Sequence, residues 1–265
     1  MTKIHVISDL NLGFNEFADP IDETIPDVDL VILNGNIGFL KRTALYAETL
    51  ALKYPNVPFV LNLGYLERYY LSLEKFDGET EESLQIRSDV NKFWPKNLHF
   101  STKNQIITCK NGFKVDIFCK FGWPKIFKSY VDWKETFYFK NICFNYTVYE
   151  NDERILKPSE TSNVGHGIYP IWATMDAINE RYEKDVNDLR IWENTYTEYK
   201  ILVTHLNPYI DERNNNLEVT PYGIHLRDML WITSGYKVED VRFVGSRLVS
   251  NPGRGILPRS HVIDI

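Results

Sequence analysis

The sequence predicts an α/β fold with a central sheet, and three observations support this prediction. Short apolar runs that end in turn residues occur at 4–8 and 29–33, and such runs are typical of buried strands. From 40 to 54 apolar residues recur at helical spacing, and Pro55 ends this helix before a third apolar run at 58–63. Strands that alternate with a helix at this spacing indicate layers of sheet and helix.

The rest of the chain continues this alternation. A helix is predicted at 79–93, and the stretch 98–121 is rich in strand residues, with an Asn111-Gly112 turn that indicates a hairpin. A long charged helix is predicted at 171–199 and a shorter one at 224–232. The remaining predicted strands are 200–204, 241–244, 247–250 and 261–265.

The segment 122–169 follows neither the helical nor the strand period. Its aromatic residues include Trp123, Phe127, Tyr130, Trp133, Phe137, Tyr138 and Phe139. Aromatic side chains in such a segment form either core beneath an inserted cap or an exposed recognition surface, because tryptophan and tyrosine are enriched at binding hot spots. We expect one domain over 1–265 that contains this segment as an insertion.

Composition and charge exclude several functional classes. With 265 residues, of which 43% are hydrophobic and 25% charged, the chain suits one globular domain. A net charge of -6 argues against non-specific nucleic-acid binding, which needs clustered cations. No apolar run approaches the roughly 20 residues of a membrane span, and Asp9 interrupts any signal-peptide core.

Cysteine usage and residue bias suggest where the protein works. The three cysteines, Cys109, Cys119 and Cys143, are odd in number and lack CxxC spacing, so we expect buried thiols in a reducing cytoplasm. The abundance of Asn, Lys, Ile, Tyr and Phe favours an AT-rich coding genome, such as that of a phage or a low-GC bacterium.

Five short motifs stand at the ends of predicted elements. In chain order they read Ser8-Asp9-Leu10-Asn11, Asn34-Gly35-Asn36, Leu63-Gly64-Tyr65-Leu66-Glu67, Thr204-His205-Leu206-Asn207-Pro208 and Gly245-Ser246-Arg247-Leu248. Their order and spacing resemble those of the calcineurin-like metallophosphoesterase superfamily, and the stretch 248–255 is similar to the family's Asn-Pro-Arg-Gly sequence. The resemblance covers nearly the whole chain, from Ile4 to Ile265.

The resemblance implies a fold and a chemistry. The implied fold is a four-layer α/β sandwich, in which two mixed β-sheets are flanked by helices. The implied chemistry uses two divalent metals that share a bridging carboxylate, bind the phosphate and generate a hydroxide nucleophile. Each metal needs several carboxylate or imidazole ligands.

Only part of the family's ligand set is present. Carried over by position, Asp9 and His205 match the family, whereas Asn11 replaces its first His and Asn36 replaces its bridging Asp. These four are the residual candidates for metal binding. Since an amide brings no charge, a dinuclear centre is disfavoured. We therefore expect no cofactor, or at most one weakly held divalent metal, Mn or Mg.

The other motif positions carry side chains that are poor or impossible metal ligands or that cannot donate a proton. Tyr65 replaces an Asn ligand, and Ser246 and Leu248 replace the two His of Gly-His-x-His. Leu66 stands where the family has the His that protonates the leaving group, and leucine cannot transfer a proton. No catalytic residue is therefore assigned.

The remaining site residues admit alternative interpretations. Asp9 is either a metal ligand or a turn carboxylate bonded to backbone amides, and His205 is either a ligand or a hydrogen-bonded imidazole. Arg247 and Arg254 are candidates for binding an anion. The guanidinium of Arg247 would occupy the space of a metal and pair with Asp9, or else it is an exposed arginine.

Three functions follow from these residues. The first is a pseudoenzyme that binds a protein partner of unknown identity, as do metal-poor members of the superfamily in retromer and in the small subunits of replicative DNA polymerases. The second is an active metal-dependent phosphoesterase that hydrolyses phosphomonoesters, phosphodiesters or nucleotides through a remodelled site. The third is a binder of a small anionic ligand in the old cleft.

Overall fold

Thirteen strands and three α-helices were found in a computed structural model of the chain, counting only the residues that it describes. Those residues are 1–12, 24–64, 66–68, 81–90, 92–100, 103–122, 143–148, 168–172, 175–197, 199–205, 229–234, 239–243, 246–250 and 261–265. In chain order the elements are β1 (Lys3–Ile7), β2 (Leu30–Asn34), α1 (Leu40–Lys53), β3 (Phe59–Asn62), α2 (Glu81–Val90), β4 (Leu98–Phe100), β5 (Gln105–Thr108), β6 (Lys114–Lys120), β7 (Cys143–Val148), β8 (Ile168–Trp172), α3 (Met175–Glu193), β9 (Lys200–Thr204), β10 (Leu230–Thr233), β11 (Glu239–Phe243), β12 (Ser246–Ser250) and β13 (His261–Asp264).

Two mixed sheets form the centre of the fold. The first has the strand order β13-β1-β2-β3-β4, in which β1 to β4 are parallel and β13 is antiparallel. The second has the order β11-β12-β10-β9-β6-β5, with four parallel strands between antiparallel edges. A separate antiparallel pair is formed by β7 and β8.

The apolar residues divide into three clusters that define four layers. Between the two sheets lie the β-branched and leucine side chains of one face of each sheet, among them Val6, Ile32, Ile117, Val203 and Ile232. The opposite face of the first sheet packs against α1 and α2, and that of the second packs against α3. The order is therefore helix, sheet, sheet, helix, and the predicted four-layer α/β sandwich is confirmed.

Helix α1 shows why the sequence forms this arrangement. Its buried residues include Ala44, Ala47, Leu50 and Ala51, which are spaced to form one stripe, and small alanines let the helix lie close to the sheet. The hairpin predicted at Asn111-Gly112 also forms, between β5 and β6. Gly112 has a φ of 86°, which glycine adopts without steric cost.

Two predicted helices were wrong in part. Residues 230–232, predicted as helix, form β10, because a short apolar run buried on both faces has no period that separates strand from helix. The helix predicted at 171–199 is α3, Met175–Glu193, and residues 171–172 belong to β8. Residues 224–228 lie outside the described part of the chain.

The other chain-level predictions have mixed outcomes. Cys109 and Cys119 are buried free thiols, as predicted, and burial raises the pKa of Cys109 to about 11 and of Cys119 to about 12. In the described residues no helix combines the length and apolar character needed to cross a bilayer. Most of the predicted insertion at 122–169, including Trp123 to Phe139, lies outside the described residues. The single-domain and cap predictions stay predictions.

Candidate functional site

Polar side chains gather where the parallel strands end. Asp9 follows β1, Asn36 follows β2 and Gly64 follows β3, while His205 and Ser234 follow β9 and β10 in the other sheet. Carboxyl ends of parallel strands lie at one edge of a sheet, which is where α/β folds place their sites. The predicted residues Asp9, Asn36 and His205 therefore belong to one edge of the molecule.

Asp9 and Asn36 are hydrogen-bonded to each other. Asn36 Nδ2 donates to Asp9 Oδ1 at 2.9 Å, and Asn36 Oδ1 accepts the backbone N–H of Leu66 at 2.9 Å. These partners fix the orientation of the amide, because a carboxylate only accepts and a backbone N–H only donates. The second Asp9 oxygen accepts the hydroxyl of Ser8 at 2.9 Å. Both carboxylate oxygens therefore have donors from the protein.

Three strand-end residues adopt left-handed backbone angles. The φ values are 56° at Asp9, 54° at Asn11 and 52° at Asn36. Asp and Asn tolerate this region better than other side chains, because they bond locally to the backbone. Asn11 does so here: its Nδ2 donates to the carbonyl of Asp9 at 2.9 Å. Asp9 thus lies in a turn, but its carboxylate accepts from the side chains of Ser8 and Asn36, whereas the predicted alternative has it bonded to backbone amides.

Glu67 holds the loops of the first sheet together. Its Oε2 accepts the N–H groups of Asn36 at 3.0 Å and Gly64 at 2.8 Å. Its Oε1 accepts the N–H of Ile37 at 2.8 Å and the hydroxyl of Thr43 at 3.0 Å. A buried carboxylate with four donors is well satisfied and fixes the positions of both loops. Glu67 is therefore a positioning residue for this edge.

Two glycines let the loops approach closely. A Cβ atom on Gly35, which has a φ of +74°, would lie 2.6 Å from the nitrogen of Gly64 and 2.6 Å from Nδ1 of His205. A Cβ on Gly64 would lie 2.5 Å from the nitrogen of Asn36. Such contacts are far inside van der Waals distance. The close approach of Gly35 to Gly64 and His205, and of Gly64 to Asn36, therefore requires glycine at both positions.

His205 is buried and held through one ring nitrogen. Nδ1 lies 2.7 Å from Oγ of Ser234 and 3.2 Å from the carbonyl oxygen of Asn34. The hydroxyl of Ser234 donates its single proton to the carbonyl of His205, so Nδ1 must donate to the hydroxyl. In the tautomer that carries its proton on Nδ1, the lone pair lies on Nε2. Phe121 stacks on the ring, with centroids 5.8 Å apart.

Two buried asparagines connect the sheets beneath this edge. Asn34 Nδ2 donates to the carbonyl of Thr204 at 3.0 Å. Asn62 Nδ2 donates to Asn34 Oδ1 at 2.9 Å and to the carbonyl of Lys120 at 3.1 Å. That carbonyl also accepts the N–H of His205, at 3.3 Å. The position of His205 is therefore fixed by the first sheet as well as by its own strand.

The described residues do not fit a two-metal centre. Among them, no three His, Cys, Asp or Glu side chains are grouped so that they could hold a metal ion. Asp9 is the carboxylate among the four predicted metal ligands, and both of its oxygens accept protein hydrogen bonds. A metal ligated by Oδ1 of Asp9 would compete for this oxygen with the NH₂ group of Asn36.

The last motif was assigned to the wrong edge of the second sheet. In the parallel register of β10 and β12, Leu230 pairs with Arg247 and Thr233 with Ser250. Ser246 and Leu248 therefore lie at the start of β12, roughly 17 Å and roughly 10 Å along the strand from the level of His205. A side chain of the second sheet that reaches His205 would have to come directly after β10 in the sequence, at the position of Ser234.

The hypothesis that Arg247 pairs with Asp9 is wrong for the same reason. Its Nη1 donates to the carbonyl of Asp264 at 2.9 Å, and Asp264 pairs with Lys3 at the start of β1. Asp9 lies beyond the other end of β1, roughly 20 Å along the strand. Tyr65 and Arg254 lie outside the described residues.

Leu66 and Ser234 are the remaining residues of this edge, and only Leu66 belongs to a predicted motif. Leu66 is buried in a short 3₁₀ helix and contributes its backbone N–H, as described above, so no side-chain proton donor exists at this position. Ser234 was missed by the sequence analysis, because the run before it was predicted as helix. Its signal was available: a polar residue directly follows a short apolar run.

Comparison with known proteins supports the class of fold. No family model and no curated protein matches this chain. Among solved structures, the fold is similar to the crystal structure of phosphopantetheinyl hydrolase (PptH) from Mycobacterium tuberculosis, with a TM-score of 0.57 and 12% sequence identity. The match covers 94% of this chain and 88% of that one. The fold is therefore of a distant metallophosphoesterase-like type, and at this identity the likeness concerns the fold alone.

Proposed function

We propose that this protein uses a phosphoesterase-like fold as a binding or regulatory module and hydrolyses phosphoesters poorly or not at all. The observation that carries the proposal is the bond between Asn36 and Asp9. At a position where the family resemblance implies a carboxylate shared by two metals, the amide of Asn36 donates a hydrogen bond to the carboxylate of Asp9. The two residues satisfy each other without a metal.

The absence of a proton donor at Leu66 adds to this argument. Hydrolysis of a phosphoester needs an activated water and a group that protonates the leaving oxygen. His205 retains a lone pair on Nε2, which supports at most one weakly bound Mn or Mg ion. One ligand of this kind supplies neither two-metal activation nor leaving-group protonation.

A phosphatase assay tests the proposal. We expect purified protein with excess manganese to hydrolyse p-nitrophenyl phosphate and its bis ester no faster than the double variant Asp9→Ala/His205→Ala. Turnover by the wild type that this double variant abolishes would establish the alternative, an active metal-dependent phosphoesterase acting on phosphomonoesters, phosphodiesters or nucleotides. Metal analysis of the purified protein provides an independent readout.

Restoring the carboxylate separates metal loss from misfolding. The substitution Asn36→Asp places a second negative charge beside Asp9, which destabilises the protein by about 1–2 kcal/mol without metal. Manganese should then raise the Tm of Asn36→Asp by several degrees and leave the wild-type Tm unchanged. Asn187→Asp, at an exposed position of α3, is the matched control and should not respond. An equal manganese response of wild type and Asn36→Asp would contradict the proposed loss of the metal site.

We further propose a protein as the macromolecular partner and the cytoplasm as the location. The net charge of -6 disfavours a nucleic-acid backbone as partner. Free thiols at Cys109 and Cys119 are consistent with a reducing compartment. Affinity capture followed by reconstitution with the purified partner would test the first proposal, and binding that required added nucleic acid would contradict it.

A further inference from the structure

The end of the first sheet opposite to the candidate site carries exposed apolar and basic side chains. There, the segment 50–57 before β3 meets the segment 88–97 before β4. The amide nitrogen of Asn97 lies within 3.0 Å of three carbonyl oxygens of the first segment, those of Ala51, Tyr54 and Val57. These bonds hold the C-terminal end of α1 against the turn that follows α2. Six exposed residues of the two segments are called the basal patch here: Leu52, Lys53, Val90, Lys92, Phe93 and Lys96.

The apolar members of the basal patch are accessible from solvent. Phe93 is 89% exposed, Val90 71% and Leu52 66%. Trp94, by contrast, is buried in the core, and its indole N–H donates to the carbonyl of Leu98 at 2.7 Å. Trp94 therefore anchors this turn to the core while the ring of Phe93 faces outward. Single exposed apolar residues are common in folded proteins, but several that lie together and are bordered by polar groups mark an interaction surface.

Positive charge borders these apolar residues. The two segments contain three lysines and one aspartate, so their net charge is +2 in a chain whose net charge is -6. Lys53, Lys92 and Lys96 are exposed, and none of them forms an ion pair among the described residues. The ammonium group of Lys53 lies 5.7 Å from the ring centroid of Tyr54, which leaves its charge without a counterion there. A partner with carboxylates would therefore meet complementary charge.

We propose that the basal patch binds an acidic segment of a protein partner, in which apolar side chains are flanked by Asp or Glu. The proposal rests on the function proposed above, that of a module that binds a protein. Leu52, Val90 and Phe93 would pack against the apolar side chains of the segment, because aromatic and apolar residues form the centre of such interfaces. The three lysines would attract its carboxylates and select against basic segments.

The amount of charge favours a protein segment over a membrane or a nucleic acid. An anionic bilayer or a nucleic-acid backbone presents negative charge over a large area, and recognition of an anionic membrane takes clusters of 4–8 cations. The basal patch has three, and the rest of the chain is net negative and would be repelled by such a surface. A short acidic segment avoids this repulsion because it contacts the patch alone.

The basal patch lies away from the candidate site. Phe59, at the start of β3, donates its N–H to the carbonyl of Asn97 at 2.7 Å. Gly64 of the candidate site follows the other end of β3, roughly 17 Å farther along the strand. Binding at the patch therefore needs neither the Asp9–Asn36 pair nor a metal.

Selection from a display library of random short peptides tests the chemistry of the partner. Immobilised wild-type protein should enrich peptides in which Leu, Phe or Trp stands beside Asp or Glu, and a labelled synthetic copy of the most enriched peptide should bind in fluorescence anisotropy. Added salt should weaken this binding, because it screens exposed charges. Enrichment of basic peptides, of uncharged peptides or of none would overturn the proposal.

Two double variants locate the bound peptide. Lys92→Glu/Lys96→Glu reverses two charges of the patch, and Leu52→Ser/Phe93→Ser removes two of its apolar side chains. Each should weaken binding of the enriched peptide by about tenfold or more. Because all four positions are exposed, both variants should fold, and thermal unfolding checks this.

Matched control variants change the same chemistry elsewhere on the surface. Lys41→Glu/Lys114→Glu reverses two exposed lysines, and Ile106→Ser/Ile191→Ser removes two exposed apolar side chains. Both controls should bind the peptide like the wild type. Binding that falls equally in the controls and in the patch variants, or in neither, would overturn the proposal.

Vesicles that contain phosphatidylserine test the membrane alternative. Wild-type binding to these vesicles that Lys92→Glu/Lys96→Glu abolishes would assign the patch to a membrane surface and overturn the proposal. The proposed function fails by a different assay, the turnover of p-nitrophenyl phosphate that Asp9→Ala/His205→Ala abolishes. That double variant should bind the enriched peptide like the wild type, and a loss of peptide binding there would place the peptide at the candidate site instead of the basal patch.

Discussion

Two neighbouring regions of this protein treat polar groups in opposite ways. At the edge formed by Asp9, Asn36 and Glu67, protein groups donate to the oxygens of both carboxylates, and Gly35 and Gly64 bring the loops into close contact. Beside α3, Trp192 lines a cavity of about 450 Å³, and its buried indole N–H has no hydrogen-bond partner among the described residues. The first region is closed by its own hydrogen bonds, whereas the second leaves a buried donor unpaired among the described residues. The two regions therefore differ in how completely their buried polar groups are paired.

Gly35→Ala is the substitution expected to break the closed region most severely. The new Cβ would lie 2.6 Å from Gly64 and from His205 Nδ1, at a φ of +74°. Overpacking and an unfavourable backbone angle together should lower the free energy of unfolding by at least about 3 kcal/mol. Urea denaturation measures the loss.

Gly112→Ala separates the two causes. Gly112 also has a positive φ, of +86°, yet a Cβ there would have no heavy atom within 4 Å. It should cost only about 1 kcal/mol, from backbone strain alone. If Gly35→Ala were no more destabilising than Gly112→Ala, the loops around His205 would not be closely packed.

Glu67→Gln tests the hydrogen bonds of the closed region without changing its shape. One carboxylate oxygen becomes an NH₂ group that faces two donors, either the N–H groups of Asn36 and Gly64 or the N–H of Ile37 and the hydroxyl of Thr43. Unpaired buried donors should lower the free energy of unfolding by about 2–3 kcal/mol.

Glu180→Gln provides the control for Glu67→Gln, since Glu180 is exposed on α3 and its substitution should change stability by less than about 0.5 kcal/mol. Thermal or urea unfolding of both variants checks the difference. Equal stability of the two variants would show that Glu67 does not hold the loops.

The sequence identified the closed region better than the interactions that close it. Asp9, Asn36 and His205 each follow an apolar strand within two residues, and parallel strands bring such positions to one edge. The bonds of Glu67 and of the Asn34–Asn62 pair were not predictable, because they depend on the register between two sheets and on loop backbones far apart in sequence.

The error at the last motif has a specific physical cause. Residues 230–233 form a strand that is buried on both faces, so their sequence has neither alternation nor a helical stripe. The Gly-containing sequence at 245–248 was matched to Gly-His-x-His, although Gly235 follows the strand more directly. The register of β10 and β12 reassigns this role to the residues after Thr233.

His5 is an exception among the polar side chains of the first sheet, most of which are hydrogen-bonded. Its burial predicts that the stability of the protein depends on pH. It lies in β1 and is 1% exposed, and neither ring nitrogen has a hydrogen-bond partner among the described residues. Burial lowers the pKa of His5 from 6.5 to about 4. The unfolded chain therefore binds the proton more readily, so stability is complete above the unfolded pKa and is lost as the pH falls from 6.5 towards 4.

His5→Leu should remove this dependence while preserving an apolar side chain of similar size. At about pH 5, protonation of His5 in the unfolded chain should cost the wild type roughly 2 kcal/mol that the variant does not lose. The measurement is the difference in unfolding free energy between the two proteins at pH 7 and at pH 5, in which contributions from carboxylates and from His99 cancel. A difference that did not change with pH would mean that His5 is solvated or paired in the folded protein. The first sheet would then have no unsatisfied polar group at this position, and the contrast with the cavity at Trp192 would be sharper.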